Sequence, residues 1–279
     1  MKLCNIKVND SVHLAIVTER GLVDATAAGF AGDMDAIVAS GIPQELCSLA
    51  ADSSLPVVEA PVYADVLNNV GKLVCVGLNY KAHSEGAKMN LPKQPILFSK
   101  FANALTYHQA DVLLPEWETS YDYEAELVVI IGKKAWNVSE EEAMEHVFGY
   151  SCGNDLSCRD AQMVSGQWLI GKSMPGFAPC GPVVVSADSF DPNEGKNVKC
   201  YVNGELRQSG STADMIFNCA KIISYASRFV ALEPGDLIFT GTPSGTMLER
   251  APEARVWLKK GDKVDVEIEG IGTLTNTMV

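Results

Sequence analysis

The stretch "YDYEAELVVIIG", residues 121–132, ends as an apolar run but opens on three acids, Asp122, Glu124 and Glu126. The run from Leu127 to Ile131 has the length and β-branched content of a strand buried on both faces. Side chains alternate along a strand. Glu124, Glu126, Val128 and Ile130 therefore share one face, and Ala125, Leu127, Val129 and Ile131 share the other. The two glutamates continue a face that is apolar further along. With Cα atoms ~6.6 Å apart, two carboxylates repel by roughly 2.5 kcal/mol at an effective dielectric of ~20. Three arrangements relieve this: one acid is protonated, both reach solvent at the strand end, or a cation sits between them.

A third acid bears on the choice. In "SEEEAMEHVFGY", 139–150, Ser139 with Glu142 three residues on forms a capping box, so a helix starts there. The chain then re-enters through "GYSCGNDLSCRD", 149–160, and can bring Asp155 back beside Glu124 and Glu126. Three carboxylates without a nearby histidine make a hard, all-oxygen donor set, which suits Mg²⁺, Mn²⁺ or Ca²⁺ better than zinc. Cys152 and Cys158 flank Asp155, but hard cations bind thiolate poorly.

The wider composition frames these residues. A chain of 279 residues, 47% hydrophobic, buries a full core. A net charge of −13 disfavours nucleic acid and anionic membrane surfaces as partners, both of which want clustered Lys and Arg. The start "MKLCNIKVND" has no apolar leader pattern and no run has membrane-spanning length, so a soluble, cytoplasmic protein is expected. Eight scattered cysteines without a C-x-x-C pair fit reduced thiols.

Residues 1–60 read as a small separate α+β unit. It comprises a meander of "KLCNIKV", "VHLAIVT" and "GLVDATA", a helix from an Asp33 cap to Gly41, and a second helix from Pro43. Residues 61–70 read as a linker or wrapping arm, and 71–279 as the main domain. In the latter, Asn203-Gly204 signals a type I′ hairpin, and 211–230 carries apolar residues at helical spacing. The class is mostly β, a closed or rolled sheet with helices outside it.

Six segments stand in a characteristic order: "VGLNYKAHSEG" (76–86), "YDYEAELVVIIG", "GYSCGNDLSCRDAQ" (149–162), "GQWLIGKSMPGFAPCGPVVV" (166–185), "VNGELRQSGSTADMIF" (202–217) and "LEPGDLIFTGTPSG" (232–245). Together they resemble the fumarylacetoacetate hydrolase family over residues 71–279. The branch is that of acylpyruvases, oxaloacetate decarboxylases, 2-hydroxyhepta-2,4-diene-1,7-dioate isomerases and 2,4-diketo-3-deoxy sugar acid hydrolases. The resemblance implies a mixed β-roll, usually a homodimer, with Mg²⁺ or Mn²⁺ held by Glu124, Glu126 and Asp155. It also implies His83 as catalytic base, Lys172 as the active-site lysine, Tyr80 and Gln167 as substrate contacts, and Thr242 in a loop against the substrate carboxylate. Arg159 could bind a carboxylate bidentately or pair with Asp160.

Two departures stand out. Hydrolytic members show H-x-x-E, whereas three residues past His83 stands Gly86, so Glu85 is the nearest acid and would have to swing in from an irregular lid over 84–95. The continuation "GTPSGTMLERAPEA" is also unusual after the "GTP" loop. The expected activity is metal-dependent hydrolysis of a C–C bond in a 2,4-dioxo acid such as an acylpyruvate. Oxaloacetate decarboxylation and keto–enol isomerisation of a muconate-type dioate are the alternatives, since neither requires an activated water.

Overall fold

In the computed structural model, which describes residues 1–86 and 90–279, the run Ala125–Ile131 forms a strand buried along its whole length. It lies between two antiparallel neighbours, Val147–Asn154 and Leu237–Phe239. Period-two alternation sends its residues into two separate cores. Leu127, Val129 and Ile131 join one cluster with Tyr121, Val198, Ile222 and Val264. Val128 and Ile130 join the other, with Leu3, Phe30, Met34 and Phe239.

Around this strand a ten-stranded sheet runs in the order Gly21–Asp24, Ser11–Thr18, Lys2–Val8, Ala178–Ser186, Val147–Asn154, Ala125–Ile131, Leu237–Phe239, Leu73–Gly77 and Ile96–Lys100, with Leu105–Thr106 pairing beside Ala178–Ser186. A five-stranded sheet of Glu205–Ser211, Asn197–Val202, Lys263–Ile268, Gly272–Met278 and Asp111–Val112 closes the roll. Its hairpin turns at Asn203 and Gly204, φ +52° and +79°, as the type I′ signal requires. This is the mixed β-roll expected from the sequence.

The separate N-terminal unit needs correction. The meander and its two helices form as read, with Asp33 capping Met34–Ser40. Its first strand, however, pairs with Ala178–Ser186 through Lys2 opposite Val185, so residues 1–60 extend the main sheet and share its second core. Residues 61–70 wrap this strand, where Lys7 N–H donates to Val62 O and Ala64 N–H to Asn5 O. The helix read over 211–230 is also shorter, confined to Cys219–Ser227. Asn218 caps it, and both the backbone and side chain of Asn79 take the N–H groups of Ile216 and Phe217 out of any helical ladder. All eight cysteines are free thiols, Cys47 alone exposed. No helix among the described residues is long and apolar enough to cross a membrane.

One half-buried histidine makes the fold acid-sensitive. His108 accepts a hydrogen bond from Thr275 N–H at 3.0 Å and meets Tyr63 edge-on, and burial lowers its pKa to about 4. Below its ordinary value the unfolded chain takes up a proton that the folded chain does not. Stability therefore falls as pH drops from about 6.5 towards 4. A His108→Asn variant is expected to lose less melting temperature over that interval than the wild type, as measured by thermal unfolding at stepped pH.

Candidate active site

The acids at the mouth of the central strand turn inward, and backbone bonding places the third beside them. Asp155 N–H donates to Glu124 O at 2.9 Å, while Glu124 N–H donates to the Asn154 side chain at 3.0 Å. Glu124, Glu126 and Asp155 are all buried, with carboxylate oxygens within 4.8 Å of one another. Cations pack around them. Lys172 Nζ bridges Glu124 Oε2 at 2.7 Å and Asp155 Oδ2 at 2.8 Å. Arg159 donates to Glu124 Oε1 at 2.6 Å, to Asp122 Oδ2 and to Gln162 Oε1. Lys100, with no exposed side-chain surface, pairs with Asp155 and bonds the carbonyls of Leu156 and Phe177.

These neighbours drive the two glutamates apart. Burial alone would raise Glu124, but the charges of Lys172 and Arg159 outweigh it and hold this carboxyl well below the usual carboxylate range. Glu126 pairs with none of the three cations and takes a hydrogen bond from Gly241 N–H at 2.7 Å. Burial, then the charges of Asp155 and Glu124, push its pKa well above the ordinary value. Of the lysines, burial lowers Lys100, which meets one carboxylate, whereas the pull of Asp155 and Glu124 together overcomes burial at Lys172 and raises it.

This donor set fits a divalent cation. Three oxygen donors converge, and the one left without a cationic partner is the one whose ionised form the protein alone disfavours. Four carboxylates (Asp122, Glu124, Glu126, Asp155) surrounded by Lys100, Arg159 and Lys172 leave one negative charge when all are ionised. A divalent ion would turn that into one positive charge, suited to an anionic ligand.

The remaining residues line or frame a narrow cavity walled by Val76, Phe98, Met163, Trp168 and Leu248 as well as the acids. Thr242 lines it but donates its hydroxyl to Ala125 O and accepts from Gln208. Gly241 has φ +100°, and a Cβ there would lie 2.7 Å from that of Asn79, so the loop that brings its N–H to Glu126 demands glycine. Tyr80 is buried, lining a neighbouring cavity with Glu85 and Asp214 instead. Gln167 is exposed, and Gln162 reaches the cavity in its place. Arg159 pairs with Asp122 and Glu124, not Asp160, and its Nε, Nη1 and Nη2 are all engaged within the protein.

His83 sits on the short helix Lys81–Gly86, buried and facing the cavity. Its acid partner is Glu249: Nδ1 and Oε1 lie 2.6 Å apart. Glu85 is at the surface with Lys81, so the acid expected beside His83 is corrected to one 166 residues on in the chain. A capping box with Thr246 holds the Glu249 turn, and Asp122 accepts the N–H groups of Met247 and Leu248. A Cβ at Gly86 would lie 2.5 Å from Glu249 Oε2, so a side chain there would displace the carboxylate. The T-x-x-E pattern at 246–249 is visible in the sequence, but it signals only a local turn. Lys100 gave no signal in the sequence, and Asp122 stood out only as the first of the three acids at the strand mouth. Of the lid expected over 84–95, residues 87–89 lie outside the described residues.

The family model for the fumarylacetoacetate hydrolase C-terminal domain matches residues 72–279. The chain belongs to the fumarylacetoacetate hydrolase family. Among relatives of this family, an oxaloacetate tautomerase of Xenopus laevis, named as mitochondrial, is 41% identical over 215 residues, 76% of this chain and 67% of that protein. A fumarylacetoacetate hydrolase structure from Exiguobacterium antarcticum superposes with a TM-score of 0.87 at 33% identity, over 100% of this chain and 99% of that one. Fumarylpyruvate hydrolase from Pseudomonas aeruginosa, solved with Mn²⁺ and pyruvate, gives 0.69 at 32% identity over 80% and 92%. The N-terminal 71 residues lie outside the family model but inside the first of these structural matches.

Proposed function

We propose that the chain is a divalent-metal-dependent enzyme of 2-oxo acids, acting by proton transfer at the carbon beside the carbonyl, as in keto–enol tautomerisation of oxaloacetate. The observation that carries this reading is His83, held at Nδ1 by Glu249 and facing a cavity that also holds the acidic trio. With Nδ1 committed to the carboxylate, Nε2 is the nitrogen that takes a proton from C3, and Glu249 stabilises the imidazolium that results. Nε2 then hands the proton to the C2 oxygen, which balances the tautomerisation without an attacking water. Glu124, Glu126 and Asp155 would hold Mg²⁺ or Mn²⁺, which when bound supplies a Lewis acid for the carboxylate and keto oxygens of the substrate. Lys172 fixes two of those carboxylates in place. The likeness to the Xenopus tautomerase supports this choice of reaction.

A second reading, hydrolysis of a C–C bond in an acylpyruvate-like acid, is favoured by the same His83–Glu249 pair, because it would deprotonate a water as readily as a C–H. The likeness to fumarylpyruvate hydrolase supports it. Oxaloacetate enol–keto interconversion, followed by ultraviolet absorbance, is expected to require added Mn²⁺ or Mg²⁺ and to stop with a chelator. Metal-dependent cleavage of an acylpyruvate without any effect on oxaloacetate would replace the first reading by the second. The proposed working form is a cytoplasmic homodimer with small 2-oxo acids as partners.

A further inference from the structure

Next to the catalytic cavity lies a larger, mostly apolar open cleft, lined by Leu73, Val74, Leu97, Phe101, Leu169 and Val230 among others. Among the described residues, two side chains line both spaces, Phe98 and Trp168. Their rings meet edge to face, with centroids 5.2 Å apart and planes at 71°. Each is fixed at its root. Phe98 lies on the edge strand Ile96–Lys100 opposite Cys75, and Trp168 immediately precedes the helix Leu169–Lys172 that carries the lysine of the acidic site. Gly77 seats the indole: a Cβ at that position would be 2.5 Å from the Trp168 ring. The Phe98 ring also lies 5.3 Å from Lys172 Nζ, so the wall stands one residue away from the charged centre.

We propose that Phe98 and Trp168 set the length of the substrate. The pair closes the catalytic cavity against the apolar cleft, so that short 2-oxo acids fit and those with an alkyl tail do not. The cleft beyond is shaped to take that tail once the wall is opened. Gln167 belongs to the cleft and would meet only a substrate that passes the wall. This inference rests on the 2-oxo acid reading of the site and adds to it the feature that selects among such acids.

The test compares wild type, Trp168→Ala and Trp168→Phe on two acids that undergo the same reaction, 2-oxobutanoate and 2-oxooctanoate. Exchange of the C3 protons in D₂O is followed by nuclear magnetic resonance with Mn²⁺ removed before detection, and binding of both acids is measured by calorimetry. Trp168→Ala is expected to raise the 2-oxooctanoate to 2-oxobutanoate ratio, in kcat/KM and in affinity, by roughly ten- to a hundred-fold, since each methylene admitted to an apolar cleft adds several-fold. Trp168→Phe keeps an aromatic wall and should hold the wild-type ratio within about twofold. An unchanged ratio in Trp168→Ala, or an equal rise in Trp168→Phe, overturns the proposal. If Trp168→Ala does not fold, Phe98→Ala opens the same wall from the other side and must give the same rise. Absence of exchange in every protein, with the binding ratio still raised, removes the proton-transfer reading and leaves the wall standing.

Discussion

Replacing Glu126 with Gln is expected to remove most divalent-cation binding while leaving the metal-free protein at least as stable as the wild type. The two halves of this outcome share a cause. Glu126 is buried beside Asp155 and Glu124 without a cation of its own, and its pKa stands well above the ordinary carboxylate value. Between those two values the unfolded chain has released its proton while the folded chain has not, so metal-free stability falls as pH rises through that interval. Gln keeps the size, can still accept from Gly241 N–H, and has no proton to release. With metal the order reverses, because the ionised carboxylate is then the favoured form. At a cation concentration about 100-fold above the wild-type Kd, binding adds about 2.7 kcal/mol of stability; a variant weakened about 100-fold gains only about 0.4 kcal/mol. Thermal unfolding with and without Mn²⁺ reads both halves at once. An equal Mn²⁺-induced rise in Tm for the two proteins would show that Glu126 is not a ligand.

Period-two parity placed Glu124 and Glu126 on the face of Val128 and Ile130, which belong in a core, but left open whether the strand end reached solvent; the third acid is what pointed to a shared cation. The return of Asp155 was legible as a possibility, because the chain could re-enter beside the strand after a capped turn, and the re-entering strand does pair with Ala125–Ile131. What sequence could not supply was partners fixed by tertiary closure. Arg159 was read either as a carboxylate binder or as a partner of its neighbour Asp160, yet its guanidinium reaches back to Asp122 and Glu124, 37 and 35 residues away. The N-terminal meander looked self-contained because its own hairpins are local, while the edge that joins it to the sheet meets a strand starting at Ala178. Helical periodicity over 211–230 was real as a pattern, but one buried Asn79 competes for the backbone at its N-terminal side, and the helix starts only at Cys219.

The same blindness to closure hid Glu249, and the consequence for activity is large. Glu249→Gln is expected to lower kcat by roughly 10²–10⁴-fold with little change in KM. The substitution is chosen for what it leaves alone. The Gln side-chain oxygen can still accept from Gly245 N–H and from Thr246, so the turn that carries it stays in place. What goes is the negative charge 2.6 Å from His83 Nδ1, which would otherwise stabilise the ring as it takes a proton at Nε2. A charge lost at that step acts on the transition state and not on the bound acid, hence the split between kcat and KM. Glu85→Gln is the matched control: Glu85 is at the surface and does not line the cavity, pairs loosely with Lys81 at 3.9 Å, and its loss should change kcat by less than about twofold. Gly86→Ala separates position from charge, because its Cβ would press on Glu249 Oε2 without removing the carboxylate. A kcat drop for Gly86→Ala that tracks Glu249→Gln would mean that the orientation of the pair matters as much as its charge. A wild-type rate in Glu249→Gln together with a large loss in Glu85→Gln would return the acid to the lid helix, and would require that helix to turn so that Glu85 leaves the surface and meets the imidazole.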